Sequence, residues 1–372
     1  MTRWAWAEVD AAAVEHNVRV LASTAGSAWP VQVWAVVKAD GYGHGSVTVA
    51  RAALAGGATG LCVALVQEGV RLREAGIDAP VLVLSEQPPE QVRIAVQYGL
   101  HLTVYSGRAL DAIADAGGVR HPVHLKVDTG MHRVGCEPAD AVALAAAIGE
   151  SAALDLVGVC THLAVADEPD HVYTRQQLDC FDEVLDRLSA AGHRVPLVHA
   201  GNSAGVIVHP RARYSMVRPG IAIYGVSPGP GVDHLVQPLG LRPALSLKAR
   251  VSHVQRRSAG ESLSYGLRHT FAADTTVATV PLGYADGVAR RFSALGGEVL
   301  VGGRRRRVVG VVTMDQLMVE MGDDPVQVGD EVVLIGRQAD QHITAAEWAE
   351  RLGTIAYEVL CAVSARVPRV TV

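Results

Sequence analysis

The sequence predicts an α/β fold: an N-terminal (β/α)8 TIM-type barrel across residues 1–240, then a β-rich domain across residues 241–372. Three observations carry this reading. Short β-branched runs alternate with helical patterns from about Trp34 to Tyr224. After about Leu241 the alternation gives way to short strands punctuated by glycine. Polar and charged residues gather at the ends of successive apolar runs, where this fold builds its sites. With 372 residues, 49% of them hydrophobic, the chain is long enough for two domains with a large core.

The opening MTRWAWAEVD meets Glu8 and Asp10 before any apolar stretch long enough for a secretory signal develops, and it is expected to pack on the β-rich domain. Strand candidates follow in order: WAVVKA, GLCVALV, PVLVLS, LHLTVYS, PVHLKVD, LVGVCTH, PLVHAG and MVRPGIAIYG. Between them, stretches such as PEQVRIAVQYG, ADAVALAAAIGE and CFDEVLDRLSAAG space apolar residues three and four apart, as amphipathic helices do. Parallel strands need crossovers, which such helices supply, and eight units fit a closed barrel better than an open sheet. In the second half, LSLKARVSHVQ, TTVATVPLG, EVLVGGRRRRVVGVV, LMVEMG and DEVVLIG read as strands. Only TAAEWAERLG reads as a helix there, with Thr344 and Glu347 in capping-box positions.

Composition excludes several functions. A net charge of −5 offers no general attraction to phosphate backbones or anionic membrane surfaces. Cys62, Cys136, Cys160, Cys180 and Cys361 form no C-x-x-C pair and read as reduced thiols of a cytoplasmic protein. No apolar run is long enough to cross a membrane, and no metal-binding or serine-hydrolase motif occurs. The basic run Arg304–Arg307 follows Gly302-Gly303 without aromatic neighbours, so a solvent-facing hairpin is expected rather than a nucleic-acid patch.

Candidate chemistry lies at strand ends. Lys38 closes WAVVK and leads into Ala-Asp-Gly-Tyr-Gly-His-Gly; a desolvated lysine there forms a Schiff base, while a solvated one merely reaches out of the strand. Lys126, Asp128 and Arg133 share HLKVDTGMHRVG, either as an anion site or as an ordinary ion pair. His162 follows the next strand, and Asn202-Ser203 the one after. Arg218-Pro219-Gly220 leads into Ile221, where the last loops of a barrel often hold phosphate on backbone N–H groups; the bland alternative is a turn chosen for geometry. Ser264-Tyr265-Gly266, Met314-Asp315-Gln316 and Tyr357 are polar features of the second half.

Together these segments resemble alanine racemase, a fold-type III pyridoxal-phosphate family. AVVKADGYGHG, HLKVDTGMHRVG, THLA, HAGNSAG, VRPGIAIYG, LSYG, LGYADG, TMDQ and IAYEVLC occur in the family's order along essentially the whole chain. The resemblance implies interconversion of L-alanine and D-alanine by a homodimer whose β-rich domains complete each other's active sites. It assigns Lys38 as the lysine joined to pyridoxal phosphate. Tyr42, Ser203, Gly220, Ile221 and Tyr357 are assigned to its phosphate, and Asn202 to the same cofactor set. Arg218 would face the pyridine nitrogen with His162 behind it. Tyr265 is the second catalytic base and Met314 a substrate contact, both reaching across from the other subunit. Arg133 lies near the substrate carboxylate, and Lys126 matches a lysine that is often carbamylated. His132 stands where glycine is common, Thr313 where cysteine is common, and Gly201 where alanine is usual.

Chemistry agrees with the resemblance. An amino acid's α-proton is too weakly acidic to leave at neutral pH unless pyridoxal phosphate draws away the electrons. Racemisation then needs a base on each face, Lys38 on the D side and Tyr265 on the L side. An arginine facing the ring nitrogen stays protonated and keeps that nitrogen from gaining a proton, which disfavours transamination. A related decarboxylase or broader racemase is the nearest alternative, but decarboxylation needs no proton donor at Tyr265. A non-catalytic pyridoxal-phosphate carrier would lack the β-rich domain, and a phosphate-binding barrel would lack covalent cofactor.

Overall fold

Eight parallel strands form the barrel sheet: Gln32–Val36, Gly60–Val63, Val81–Val83, His101–Val104, His121–Lys126, Leu154–Cys160, Leu197–His199 and Met216–Val217. The first seven pair in sequence, and the eighth returns to the first with Gln32 opposite Met216 and Val33 opposite Val217. Backbone bonds from Ser215 N–H to Val198 O (3.2 Å) and from Arg218 N–H to Gly201 O (2.8 Å) narrow the remaining gap. The computed structural model describes residues 3–26, 31–117 and 119–372.

The crossover helices cover the barrel because their apolar residues recur on one face. In helix Val172–Ala190, Leu178, Phe181, Val184 and Leu188 are buried and join Leu125 and Val159 of the strands in one cluster. Each such side chain contributes roughly 1.5–3 kcal/mol when fully buried. The barrel unit comprises Ala12–Gly41 and Ser46–Arg242.

The second unit gathers the N-terminal stretch through Ala11, Tyr42–Gly45 and Pro243–Val372. Its N-terminal strand, Ala5–Val9, pairs antiparallel with Leu245–Arg250 and parallel with Arg369–Thr371. Most other pairings there are antiparallel, which short glycine turns allow. Glu298–Val301 and Arg304–Val309 form a hairpin around Gly302 and Gly303, whose φ values of +60° and +73° suit the tight turn that glycine permits. Arg304 pairs with Asp324 at 3.0 Å, Arg306 reaches the same carboxylate, and Arg305 grips Glu347 at 2.6 and 2.9 Å. Their acidic partners leave no bare cationic patch on this hairpin apart from Arg307, for which no ion pair forms among the described residues.

Three local readings need correction. IAIY is not an extension of the last strand; Ile221–Tyr224 is a 3-10 turn that ends at the left-handed Gly225. A second helix, Ala356–Ala362, carries Tyr357. Thr344 does cap helix Ala345–Leu352 through Glu347 N–H (3.0 Å), but the Glu347 carboxylate goes to Arg305 instead of back to the cap. Among the described residues no helix is long and apolar enough to cross a membrane.

Candidate active site

Lys38 leaves the carboxyl end of the first barrel strand and enters a left-handed turn. Ala39, Asp40 and Gly41 have φ of +52°, +51° and +62°, and Tyr42 follows at +50°. Left-handed backbone costs an L-residue roughly 1–2 kcal/mol, so something must hold the turn. Glu68 does so: its carboxylate accepts Ala39 N–H at 2.6 Å and Ala64 N–H at 2.8 Å. Asp40 accepts Ser46 N–H at 3.0 Å from the far side of the turn. Lys38 is thereby presented half-buried at the rim on a backbone fixed by two carboxylates.

The barrel interior is unusually polar. Lys126 is 7% exposed and Arg218 5%. Arg218 donates to the Thr161 carbonyl at 2.9 Å, to the Ala200 carbonyl at 3.3 Å and to His199 Nδ1. Its second nitrogen also lies 3.5 Å from His162 Nδ1. No ion pair to a carboxylate reaches Arg218 among the described residues. Burial holds His162 well below the ordinary histidine range, and the cations of Arg218, Lys126, Arg133 and Lys38 push it further down. Four candidate cations thus act on one imidazole, Arg218 from 3.5 Å. Burial likewise lowers Lys126, and the charges of Arg218 and Arg133 add to this against the opposing Cys160 and Asp128.

Asp128 does not neutralise these cations by a direct ion pair. It accepts the Gly130 and His132 N–H groups, each at 3.0 Å, and shapes the loop that carries the exposed Arg133. Gln177, a fully buried residue of helix Val172–Ala190, accepts Ala164 N–H at 2.9 Å and donates to the His162 carbonyl at 3.0 Å. It therefore fixes the loop after the sixth strand.

At the last two strand ends, Asn202 caps helix Ser203–Val208 by accepting Gly205 N–H at 2.9 Å. Ser203 Oγ accepts the N–H groups of Gly220 at 2.9 Å and Ala222 at 3.2 Å. Both acceptor sites of the hydroxyl are then used, and its own O–H is left to donate. Ile221, wholly buried, starts the 3-10 turn beside Gly220.

In the β-rich unit, Tyr42 and Tyr357 face each other with ring centroids 6.0 Å apart. Gly43, at φ +80°, lets this loop press on helix Ala356–Ala362; a Cβ there would lie 2.4 Å from Leu360 O. Tyr265 and Met314 sit on two adjoining loops, tied where Ser264 Oγ donates to Val311 O at 3.0 Å. Ser264 has φ +68° and ψ −175°, a backbone region nearly reserved for glycine. Tyr265 is 71% exposed and Met314 52%.

This order of segments has counterparts. Residues 9–228 match the family model described as alanine racemase, N-terminal domain, and residues 244–371 the one described as alanine racemase, C-terminal domain. The chain belongs to the alanine racemase family. An alanine racemase of Symbiobacterium thermophilum is 49% identical over 98% of this chain and 96% of its own length. One from Thermobifida fusca is 44% identical over 100% and 98%. The crystal structure of alanine racemase from Bacillus anthracis with bound L-Ala-P superposes with a TM-score of 0.94 at 39% identity, covering 100% of this chain and 96% of that one.

The alanine racemase family depends on pyridoxal phosphate. The barrel residues fit that group: a rim lysine, a buried arginine whose acceptors among the described residues are neutral, and a buried hydroxyl with a proton to give. The departures from the family pattern have local reasons. His132 adopts φ +53°, the conformation glycine takes more easily, and its ring lies 3.6 Å from Asp128. Thr313 brackets Met314 by bonding Gln316 O at 3.0 Å and Gln316 N–H at 3.2 Å. A Cβ on Gly201 would sit 3.0 Å from Ala212 O, tighter than ordinary contact.

Sequence reasoning missed Glu68, Gln177, His124 and His199. His124 precedes Lys126 by two residues and so shares its strand face, which was the available signal. Glu68 stands at the third position of a helix that lacks a Ser or Thr cap, a weak hint that its carboxylate binds backbone elsewhere.

Proposed function

We propose that this protein interconverts L-alanine and D-alanine, using pyridoxal phosphate held by Lys38. The observation that carries the reading is Lys38 on its clamped left-handed turn beside an interior that holds Arg218, Lys126 and His162. Bound pyridoxal phosphate acidifies the α-proton of an attached amino acid. Everything else falls to the chain.

Ser203, Gly220 and Ile221, with Tyr42, Tyr357 and Asn202, would hold the phosphate. Arg218 would donate to the pyridine nitrogen, backed by a neutral His162 whose Nδ1, 3.5 Å away, can accept from the same guanidinium. Lys38 and Tyr265 would remove and return the α-proton on opposite faces, and each step needs the conjugate acid of the other. Arg133 and Met314 would contact the substrate. Lys126 would be carbamylated: burial favours the neutral amine that reacts with carbon dioxide, and the nearby Arg218 and Arg133 favour the anion that results.

Tyr265 and Met314 would act on the neighbouring subunit of a homodimer. In support, Tyr265, Leu267 and Met314 expose large apolar surface on adjoining loops, a feature that marks association sites. A barrel domain of residues 1–240 and a β-rich domain of residues 241–372 would thus cooperate across the dimer, Tyr265 and Met314 completing the partner's site while Tyr357 serves the phosphate of its own chain. The cell-level role would be supply of D-alanine for peptidoglycan in the cytoplasm, where the five free cysteines stay reduced. Purified protein with pyridoxal phosphate, incubated with L- or D-alanine in D2O, should incorporate deuterium at Cα while the chirality scrambles. Exchange without loss of chirality would reject racemisation.

A further inference from the structure

Barrel interiors are ordinarily filled by branched aliphatic side chains. Here Trp34, His101, His124 and His199 meet there, although they come from the first, fourth, fifth and seventh strands. Contacts between strands that are not neighbours in the sheet can form only across its inside. The rings are linked end to end. His199 Nδ1 meets an Arg218 guanidinium nitrogen, His199 Nε2 lies 2.9 Å from His124 Nδ1, and His124 Nε2 lies 3.1 Å from His101 Nδ1. Gly158 makes room for the middle link, since a Cβ there would sit 2.0 Å from His124 Nδ1.

The protons in this line have one consistent arrangement. Arginine only donates, so His199 Nδ1 must accept and its proton must be on Nε2. That N–H donates to His124 Nδ1, which forces the His124 proton onto Nε2. The same logic makes His101 Nδ1 an acceptor and places its proton on Nε2. A second proton on any ring would set two donors against each other, and burial, the leading cause, holds all three rings below the ordinary histidine range, His101 at about 4.

We propose that His101, His124 and His199 form a one-way hydrogen-bond chain anchored on Arg218, and that His101, at its far end, is a positioning residue for that arginine. This rests on the reading of Arg218 as the group facing the cofactor ring. His101 supplies the acceptor that keeps the His124 proton on Nε2. Without it, His124 gains by turning its proton toward His199, which then presents a donor to Arg218 and pushes the guanidinium out of place. A residue three hydrogen bonds away thereby sets where the arginine points.

The test uses holoenzyme labelled with 15N in histidine. His101→Leu removes the acceptor, His101→Gln keeps one, and Arg218→Glu serves as reference. In wild type, 15N spectra should show His124 and His199 each protonated on Nε2. In His101→Leu at least one should move its proton to Nδ1, and the share of turnovers ending in transamination should rise roughly threefold to thirtyfold. His101→Gln should restore both readouts. A proton on Nδ1 of either ring in wild type overturns the chain, as do wild-type tautomers in His101→Leu whatever the products are. If tautomers shift in His101→Leu without altering the products while Arg218→Glu alters them, His101 is no positioning residue and the reading of Arg218 stands. If neither variant alters the products, the reading of Arg218 falls with it.

Discussion

The two units present their candidate residues in opposite ways. In the barrel, Arg218 and Lys126 are almost wholly buried and Arg218 is surrounded by named acceptors. In the β-rich unit, Tyr265 and Met314 stand on loops of fixed shape with most of their surface in solvent. A buried cation must have its partners supplied by its own chain, because leaving it unpaired is costly. An exposed tyrosine needs none until something covers it. On the proposed reading, the barrel would preset the cofactor half of the chemistry, and Tyr265 would be completed as a base only by association.

The sharpest way to break that division is to separate the two bases. Lys38→Ala and Tyr265→Ala homodimers should each lose roughly 10²–10⁴-fold in rate, the usual worth of a positioned acid or base. Unfolding and refolding them together makes about half the dimers mixed, each with one intact site of two, so activity should recover to roughly a quarter of wild type. If mass measurements show mixed dimers and no activity returns, Tyr265 acts within its own chain.

Arg218→Glu probes the barrel side alone. A carboxylate facing the ring nitrogen would favour its protonation, so cofactor should stay bound while racemisation slows by roughly a hundredfold and transamination grows. An unchanged division of products would show that this buried arginine does not govern the ring.

How much of this was legible beforehand depends on what each residue's neighbours reveal. Lys38, His162, Ser203 and Arg218 were visible as polar residues that end apolar runs. The left-handed turn after Lys38 was not, since Ala39 disfavours that conformation, one aspartate that tolerates it is a weak signal, and Glu68, which holds the turn, lies on another element. IAIY looked like a strand because its four apolar side chains are all buried, a demand that a 3-10 turn meets equally well. Helix Ala356–Ala362 is too short for a helical period to show. The interior histidines were hidden for a different reason. A lone histidine in a strand says nothing about a partner three strands away.

Those histidines also make the barrel the acid-sensitive unit. His101, His124, His162 and His199 are held below the ordinary histidine value chiefly by burial, so the unfolded chain binds protons that the folded chain refuses. Stability is therefore fully present above about pH 6.5 and falls below it. Each such histidine removes about 1.4 kcal/mol per pH unit once the unfolded form is charged, and His101 stops contributing near its folded value of about 4. Lowered carboxylates such as Glu347 act only in the more acid range. Urea titrations at pH 7, 6 and 5 should show the midpoint dropping between the first two and dropping faster between the last two. A constant midpoint across that window would contradict neutral interior histidines.

The smallest effect separates holding a turn from capping a helix. Glu68 in the barrel and Thr344 in the β-rich unit both bind backbone N–H groups, but only Glu68 holds the residue after Lys38. Thr344→Ala removes an ordinary cap and should cost about 1 kcal/mol with the rate unchanged. Glu68→Ala removes a charged acceptor from Ala39, Ala64 and Leu65, and about 2 kcal/mol is expected once water replaces part of the loss. It also frees a turn whose left-handed residues would relax toward ordinary backbone and carry Lys38 with them. kcat should fall about tenfold, since a displacement near 1 Å is enough to slow a proton transfer. Paired stability and rate measurements on the two variants decide the matter: if Glu68→Ala lowers stability as Thr344→Ala does and leaves kcat alone, the carboxylate is a cap like any other and the strained turn holds Lys38 without it.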